Sequence, residues 1–576
     1  MAARLTTYVV VGIVAATLIA GLMVGAQRDD NDGPVDLIVY NGKVYTADAS
    51  GLIAEAVAVR GNQILRVGSN REINRLRRPQ TVVVDALGAA VLPGFNDAGA
   101  RFIDGGIALD SVDLRGAATV EEIQSRIRTW AEAHPERPWI VGRGWSAKSL
   151  AVTPTRQLLD AAVADRPAYM LSVDGQAAWL NTPALERAGL TSHTVIPADA
   201  TTREPRGGAP PGLLRGAAID IPARVVPQPT RADRARGLRA AISEAHSNGV
   251  TSVQDTLVRP DDFDVYDEAR RAGDLTVRVY ASIGVDGVPE SEAFTQLERL
   301  FEQYPDDPIF KMGGARITLD GPVESLDAAL LQPYEGKAEV DAAALVNPHP
   351  FNRFVRLLDA RGWQVTAQAS GDRAVRMALD AFEHAARSNP APARGRRHRI
   401  DGVQLVDPLD LPRFGRLDAI ATIEPHAAVP TRARIDAWTA AVGTERASRA
   451  WPSGSIAAAR GKLAFGSGVP AWPLKPMDAI HAAVTRTTPE GTPEGGWAPG
   501  QRVTLKRAIN ALTSVPAYAS FDEQRKGTLT TGMLADLVVL ADDIFDAPGA
   551  QLANTPVAVT IFDGKIVYRR DAKSTN

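Results

Sequence analysis

Eight histidines, His134, His193, His246, His349, His384, His398, His426 and His481, are the only imidazoles in this chain of 576 residues, and there is no cysteine. Without thiols the chain has no disulfide, thiolate nucleophile, iron–sulfur cluster or Cys-ligated zinc, so a metal would need imidazole and carboxylate donors. No His-x-His pair occurs anywhere. Only His398 and His426 fall near the ends of expected strands, where Glu424 or Asp401 could join them in one mononuclear site; packing is the plainer role for both. A Ser467/His426 couple would need a nucleophile elbow, and Phe465-Gly-Ser-Gly-Val469 lacks the Gly-x-Ser-x-Gly spacing. Asp255, Asp320, Glu324, Asp372 and Asp401 could offer the acid and base of a glycosidase-like pair, although carboxylates at strand ends are routine in barrels.

The elements that would position these groups have two textures. At both ends, short alternating strands flank tight turns: Asp36–Thr46 around Asn41-Gly42, read as a hairpin; Ala56–Arg60 and Ile64–Val67 around Gly61-Asn62; a strand at Thr81–Asp85; then Ala535–Leu540, and Val557–Phe562 and Lys565–Tyr568 around Asp563-Gly564. Such strands need one another to bury an apolar face, so residues 36–92 and 521–571 are predicted to build one small β-sandwich. From 93 to 520, short apolar runs alternate with amphipathic helices. Strands are expected at Ala90–Phe95, Trp139–Gly142, Tyr169–Val173, Val250–Gln254, Val277–Ile283, Ala315–Leu319, Val365–Ala369, Val403–Val406, Ile420–Ile423 and Leu463–Gly466, with helices such as Val120–His134, Ala232–Asn248 and Val375–Ser388 between them. This is the α/β pattern of a (β/α)8 TIM-like barrel, with an insertion near 182–226 rich in Pro, Gly and Thr.

The balance of 64 Lys+Arg against 67 Asp+Glu, a net charge of -3, gives no basic field for a phosphate backbone, so no nucleic-acid partner is expected. Tyr8–Ala26 is a charge-free apolar run of the length that crosses a membrane as a helix, after a short N-terminus (1–7) and before a polar linker (27–35). The positive bias on its N-terminal side places residues 1–7 inside and the globular part outside, which predicts a single-pass protein of the inner (cytoplasmic) membrane with a periplasmic body. A cleavable signal ending near Val24-Gly25-Ala26 is the competing reading. Residues 572–576 form a tail. Trp145, Trp179, Trp438, Trp451, Trp472 and Trp497 lie in or near expected loops, as interface anchors or as packing beneath the loops.

Val91-Leu-Pro-Gly-Phe-Asn-Asp97, Val173-Asp-Gly175, Gly249-Val-Thr-Ser-Val253, Ser370-Gly-Asp-Arg373, His398-Arg-Ile400, Phe465-Gly-Ser467, Ile480–Arg486 and Arg525-Lys-Gly-Thr-Leu529 follow one another in an order and spacing that resembles the amidohydrolase superfamily, in its branch similar to N-substituted formamide deformylases. The resemblance implies a barrel on a sandwich, with one or two divalent metals and a catalytic Asp at the C-terminal mouth. It also marks where this chain departs. The His-x-His after the first strand becomes Gly99 and Arg101, the carboxylated lysine becomes Arg316, and the next two histidines become Gln368 and Gly402. The catalytic Asp becomes Gly468, and two pocket histidines become Gln176 and Gln254. Arginine has no lone pair to give a metal.

These departures imply no catalytic residue, no metal and no cofactor, in a membrane-tethered protein that contacts other membrane or periplasmic proteins as an accessory subunit. The alternatives are an exported hydrolase of C–N bonds with a relocated metal, and a ligand-binding protein using the old cleft. Gln176, Gln254, Asp255 and Asp320 are the candidate ligand pocket. Arg101 and Arg316 are expected to pair with Asp255, Asp320, Asp401 or Glu324, taking over the charge of the missing ions.

Overall fold

In the computed structural model, residues 34–571 are described, apart from 147–149, 151, 173–176, 192–193, 195–211, 286, 288–290 and 338–342. Tyr8–Ala26 and Gln176 therefore lie outside the described residues. Among those described, no helix is long and apolar enough to cross a membrane.

Near-continuous apolar runs can be strands only if both faces are covered, and helices do the covering here. Eight strands pair in parallel and in chain order: β1 (Phe95–Ala100), β2 (Val250–Val258), β3 (Arg278–Val285), β4 (Phe310–Thr318), β5 (Gln364–Gln368), β6 (Arg399–Asp401), β7 (Ile420–Ile423) and β8 (Lys462–Phe465). The return from β8 to β1 has no ladder. A Cβ on Gly466 would lie 2.7 Å from the Gly99 nitrogen, so only glycine allows this approach, and the Gly468 N–H donates to the Gly99 carbonyl at 2.8 Å. The TIM-like barrel thus closes on a glycine seam.

The helices begin where side chains can meet their free N–H groups. Thr119 caps Val120–Ala133, and Thr230 with Asp233 forms a capping box on Arg231–Ser247. After β1 the helix Phe102–Leu109 has no cap of its own; instead the buried Asp255 on β2 accepts the Phe102 N–H at 3.1 Å.

The terminal segments pack as two sheets. One has the order Gln63–Gly68, Ala56–Arg60, Leu37–Tyr40, Val82–Asp85. The other runs Lys565–Arg569, Val557–Phe562, Leu537–Leu540, Ala90–Pro93, Lys43–Tyr45, Ile53–Ala54, so Ala90–Pro93 pairs with Leu537–Leu540 and knits the two ends of the chain together.

Several details differ from the sequence reading, among them Val403–Val406, which is loop after the shorter strand Arg399–Asp401. Asn41-Gly42 is not a hairpin: Leu37–Tyr40 and Lys43–Tyr45 belong to different sheets, and the turn is a corner held by Gly42 N–H to Glu55 O (3.0 Å) and Lys43 N–H to Ala89 O (2.9 Å). Ala90–Pro93 serves the sandwich and leaves the first barrel strand to begin at Phe95. The strands Ile140–Trp145 and Ala168–Ser172 are not barrel staves either. With Val112–Asp113, Ala177–Leu180 and Leu213–Arg215 they form a separate five-stranded sheet inserted between β1 and β2, much wider than 182–226. The βα texture is local and cannot say which sheet a strand joins. This sheet has its own core around Ile123, Ile127, Trp145, Met170 and Trp179. Trp145, Trp179, Trp438 and Trp451 are all fully buried and pack in the interior, not at a surface.

Candidate functional site

At the C-terminal ends of the strands lies a small cavity of about 90 Å³, walled by Gly99, Ala100, Arg101, Thr256, Arg316, Asp401, Thr422, Glu424, Gly468 and Val469. Arg101 follows β1, Arg316 lies near the end of β4, Asp401 ends β6, Glu424 follows β7, and Gly468 is three residues past β8. Gln368, the last residue of β5, accepts a bond from Arg316 Nη2 at 2.5 Å. Gly402 packs closely against it, since a Cβ there would fall 2.6 Å from Gln368 Nε2. The six positions Gly99, Arg101, Arg316, Gln368, Gly402 and Gly468 are therefore brought together.

Their charges are arranged differently from the expected pairs. Asp255 is committed to structure, accepting from Tyr266 Oη at 2.7 Å as well as from Phe102, and burial pushes its carboxyl up to about 7. Asp320 accepts the N–H groups of Ser370, Gly371 and Ala329 at 2.7, 2.8 and 2.9 Å, and burial pushes it up to about 6. Glu324 lies 3.4 Å from Arg434. Asp401 is held by Arg399, which sequence reasoning overlooked. The fully buried Arg399 guanidinium donates to Asp401 Oδ1 and Thr422 Oγ1, both at 3.1 Å, and also to the Ala98 carbonyl and to Gln254 Oε1. Gln254 completes its bonding with Pro516 O at 2.7 Å, so it braces the barrel interior and does not line the cavity.

Arg316 keeps one strong side-chain bond, to Gln368, and its buried Nε has no partner. Burial lowers its pKa, while the fields of Asp401 and Glu424 work in the opposite direction. Glu424 fills the space left by the missing side chain at 468: its Cδ lies 3.2 Å from where a Gly468 Cβ would be. Burial, then the neighbouring Asp401, pushes this carboxyl up to about 7. Asp97, behind the seam, accepts the N–H groups of Gly99 (2.9 Å) and Ser467 (3.0 Å), and burial raises its pKa too.

The two histidines near strand ends do not converge. His398 lies at the opposite end of the barrel, accepting the Val365 N–H at 3.1 Å and bonded to Asp359 at 3.1 Å. His426 is at the mouth side with both ring nitrogens buried, and burial pushes it down to about 4. Ser467 Oγ accepts the Val469 N–H at 3.1 Å within its own turn.

A sequence model for the amidohydrolase family matches residues 82–568. The chain belongs to this family. Among curated relatives, it is 28% identical over 550 residues to Protein LONG AFTER FAR-RED 3 of Arabidopsis thaliana, covering 92% of this chain and 91% of that one. It is 26% identical over 551 residues to an N-substituted formamide deformylase of Arthrobacter pascens, covering 93% and 98%. An uncharacterised metal-dependent hydrolase of Pyrococcus furiosus superposes with a TM-score of 0.69 at 24% identity, over 87% of this chain and 97% of that one.

The metal that an amidohydrolase fold implies does not fit the donors at this mouth. Gly99, Gly402 and Gly468 bring no side chain, Arg316 and Arg101 have no lone pair to give, and Asp401 is already bonded to Arg399. Among the described residues no three His, Cys, Asp or Glu side chains gather in a way that could hold an ion.

Proposed function

We propose that this amidohydrolase-fold protein has given up metal-dependent hydrolysis and works by binding: an accessory component tethered to the inner membrane through Tyr8–Ala26, its body in the periplasm in contact with other membrane or periplasmic proteins. The observation that supports the loss of hydrolysis is the Arg316–Gln368 bond, which sets a fixed cation and its acceptor between β4 and β5 where ligands would have to stand. The tether rests on the charge-free run alone. Metal analysis of the purified full chain, with an N-substituted formamide hydrolysis assay before and after chelation, tests the first part. The expected result is substoichiometric metal and no turnover; stoichiometric zinc lost together with activity overturns it. Detergent extraction followed by affinity capture of the tagged chain tests the second part, and a chain that elutes alone overturns it.

A second reading, hydrolysis of C–N bonds with a metal held elsewhere, is favoured by the name of the Arthrobacter pascens relative. The same metal analysis separates the two.

A further inference from the structure

Beside the small cavity lies a larger cleft of about 240 Å³, and Val469 belongs to the walls of both. The neighbours Arg101 and Phe102 divide between them, Arg101 facing the small cavity and Phe102 the large one. The cleft runs between the barrel mouth and the inserted sheet. Its polar wall carries Arg143 from the strand Ile140–Trp145, Arg115 just beyond Val112–Asp113, and Lys475 from the segment after the seam. Its apolar wall carries Phe102, Leu109, Trp472 and Leu474. Leu109, 45% exposed, leaves part of this apolar wall open to the cleft.

Of the two acids of the cleft, one is paired and the other lends its field to Arg115. Asp113 holds Arg115 in a two-point pair at 2.9 and 2.8 Å, and Glu244 accepts from Asn248 Nδ2 at 3.1 Å. Arg143 has neither an ion pair nor a side-chain hydrogen bond among the described residues, and the same holds for Arg101. Arg143 is half-buried, and its pKa is lowered by burial first and then by the fields of Arg101 and Arg115. Arg143, partly removed from water, gains from an acceptor in the cleft. A carboxylate supplies two acceptor oxygens in the geometry of the guanidinium fork.

We propose that this cleft binds a small carboxylate with an aryl or alkyl body, its carboxylate on Arg143 and its body against Phe102, Leu109 and Trp472. The volume is below the roughly 300 Å³ at which drug-sized sites begin, so the ligand is small. The proposal rests on the reading that the mouth holds no hydrolytic metal, because a metal would compete for the same carboxylate.

Calorimetry on the detergent-solubilised full chain tests it, with phenylacetate as probe and phenylacetamide as its neutral counterpart. Phenylacetate is expected to bind roughly tenfold or more tightly than the amide. Arg143→Gln should erase that difference while Arg143→Lys keeps part of it, and Trp472→Ala should weaken both probes alike. Circular dichroism and the unfolding midpoint confirm that each variant folds. Equal affinity for the two probes, or phenylacetate binding unchanged by Arg143→Gln, overturns the proposal. A metal-free, inert chain that ignores phenylacetate at millimolar concentration also overturns it and leaves the loss-of-hydrolysis reading standing; a zinc-loaded, active chain removes that reading instead.

Discussion

The two ends of the barrel treat buried charge in opposite ways. At the N-terminal end, facing the sandwich, three cations each make two or more bonds to carboxylates, although Arg397 also keeps a buried Nε without a partner. Arg278, 2% exposed, donates to Asp536 at 2.6 and 2.9 Å, to Asp563 at 2.9 Å and to Pro308 O at 3.1 Å. Lys311 reaches Asp522 at 2.7 Å and Asp306 at 2.9 Å, and Arg397 forks onto Glu523 at 2.9 and 2.7 Å. At the mouth, Arg316 has one such bond and a stranded Nε, and Glu424 has no side-chain hydrogen bond among the described residues. Satisfied networks fix a structure, and partly satisfied ones cost stability. The floor is built as a joint between domains. The mouth carries polar groups that folding alone does not explain.

The largest effect is expected at the floor. Arg278→Met leaves Asp536 buried without its partner and should cost about 3–5 kcal/mol in denaturant unfolding. A cost under about 1 kcal/mol would erase the contrast between the two ends.

Glu424→Gln comes next and depends on pH. The carboxyl is pushed up to about 7 from a usual value of 4.5. Between those values the unfolded chain releases this proton while the folded chain keeps it, so the folded state loses stability as pH climbs from about 4.5 through 7. Relative to wild type, Glu424→Gln should therefore gain on the order of 1 kcal/mol at about pH 8 and nothing at about pH 4. Asp255, also pushed up to about 7, is present in both proteins, so the difference curve isolates Glu424. A flat difference curve would mean that the mouth carboxyl is as well compensated as those of the floor.

Arg316→Met should change stability by no more than about 1 kcal/mol, because the cation it removes is poorly partnered and the side chain it brings is of similar length. Arg101→Gln, at an exposed position, should stay within about 0.5 kcal/mol of wild type. Equal losses at Arg316 and Arg278 would show that the mouth is also a structural joint.

The barrel and the sandwich were legible because both rest on short-range periodicity, and the positions around the mouth were legible because each sits in a short motif at a strand end. Asn41-Gly42 misled because a hairpin signal describes the turn and not which sheets its flanking strands join. Ile140–Trp145 looked like a barrel stave for the same reason. Arg143 could not be placed near Arg101 from sequence, since that proximity depends on how the inserted sheet packs on the barrel. Nor could the roles of Asp255 and Asp320 be read, because their partners, backbone N–H groups and the Tyr266 hydroxyl, are brought to them only by the fold.

The pairing of Ala90–Pro93 with Leu537–Leu540 also sets a schedule for synthesis. A ribosome adding about 5–20 residues per second needs on the order of half a minute to a minute and a half to pass from one strand to the other. Throughout that interval the N-terminal strands have a bare, apolar sheet edge, the kind that pairs with other chains. The terminal sandwich is thus the last part of the molecule to become complete although its first strands are made early, and a nascent chain stalled before residue 537 is the form of this protein most exposed to aggregation.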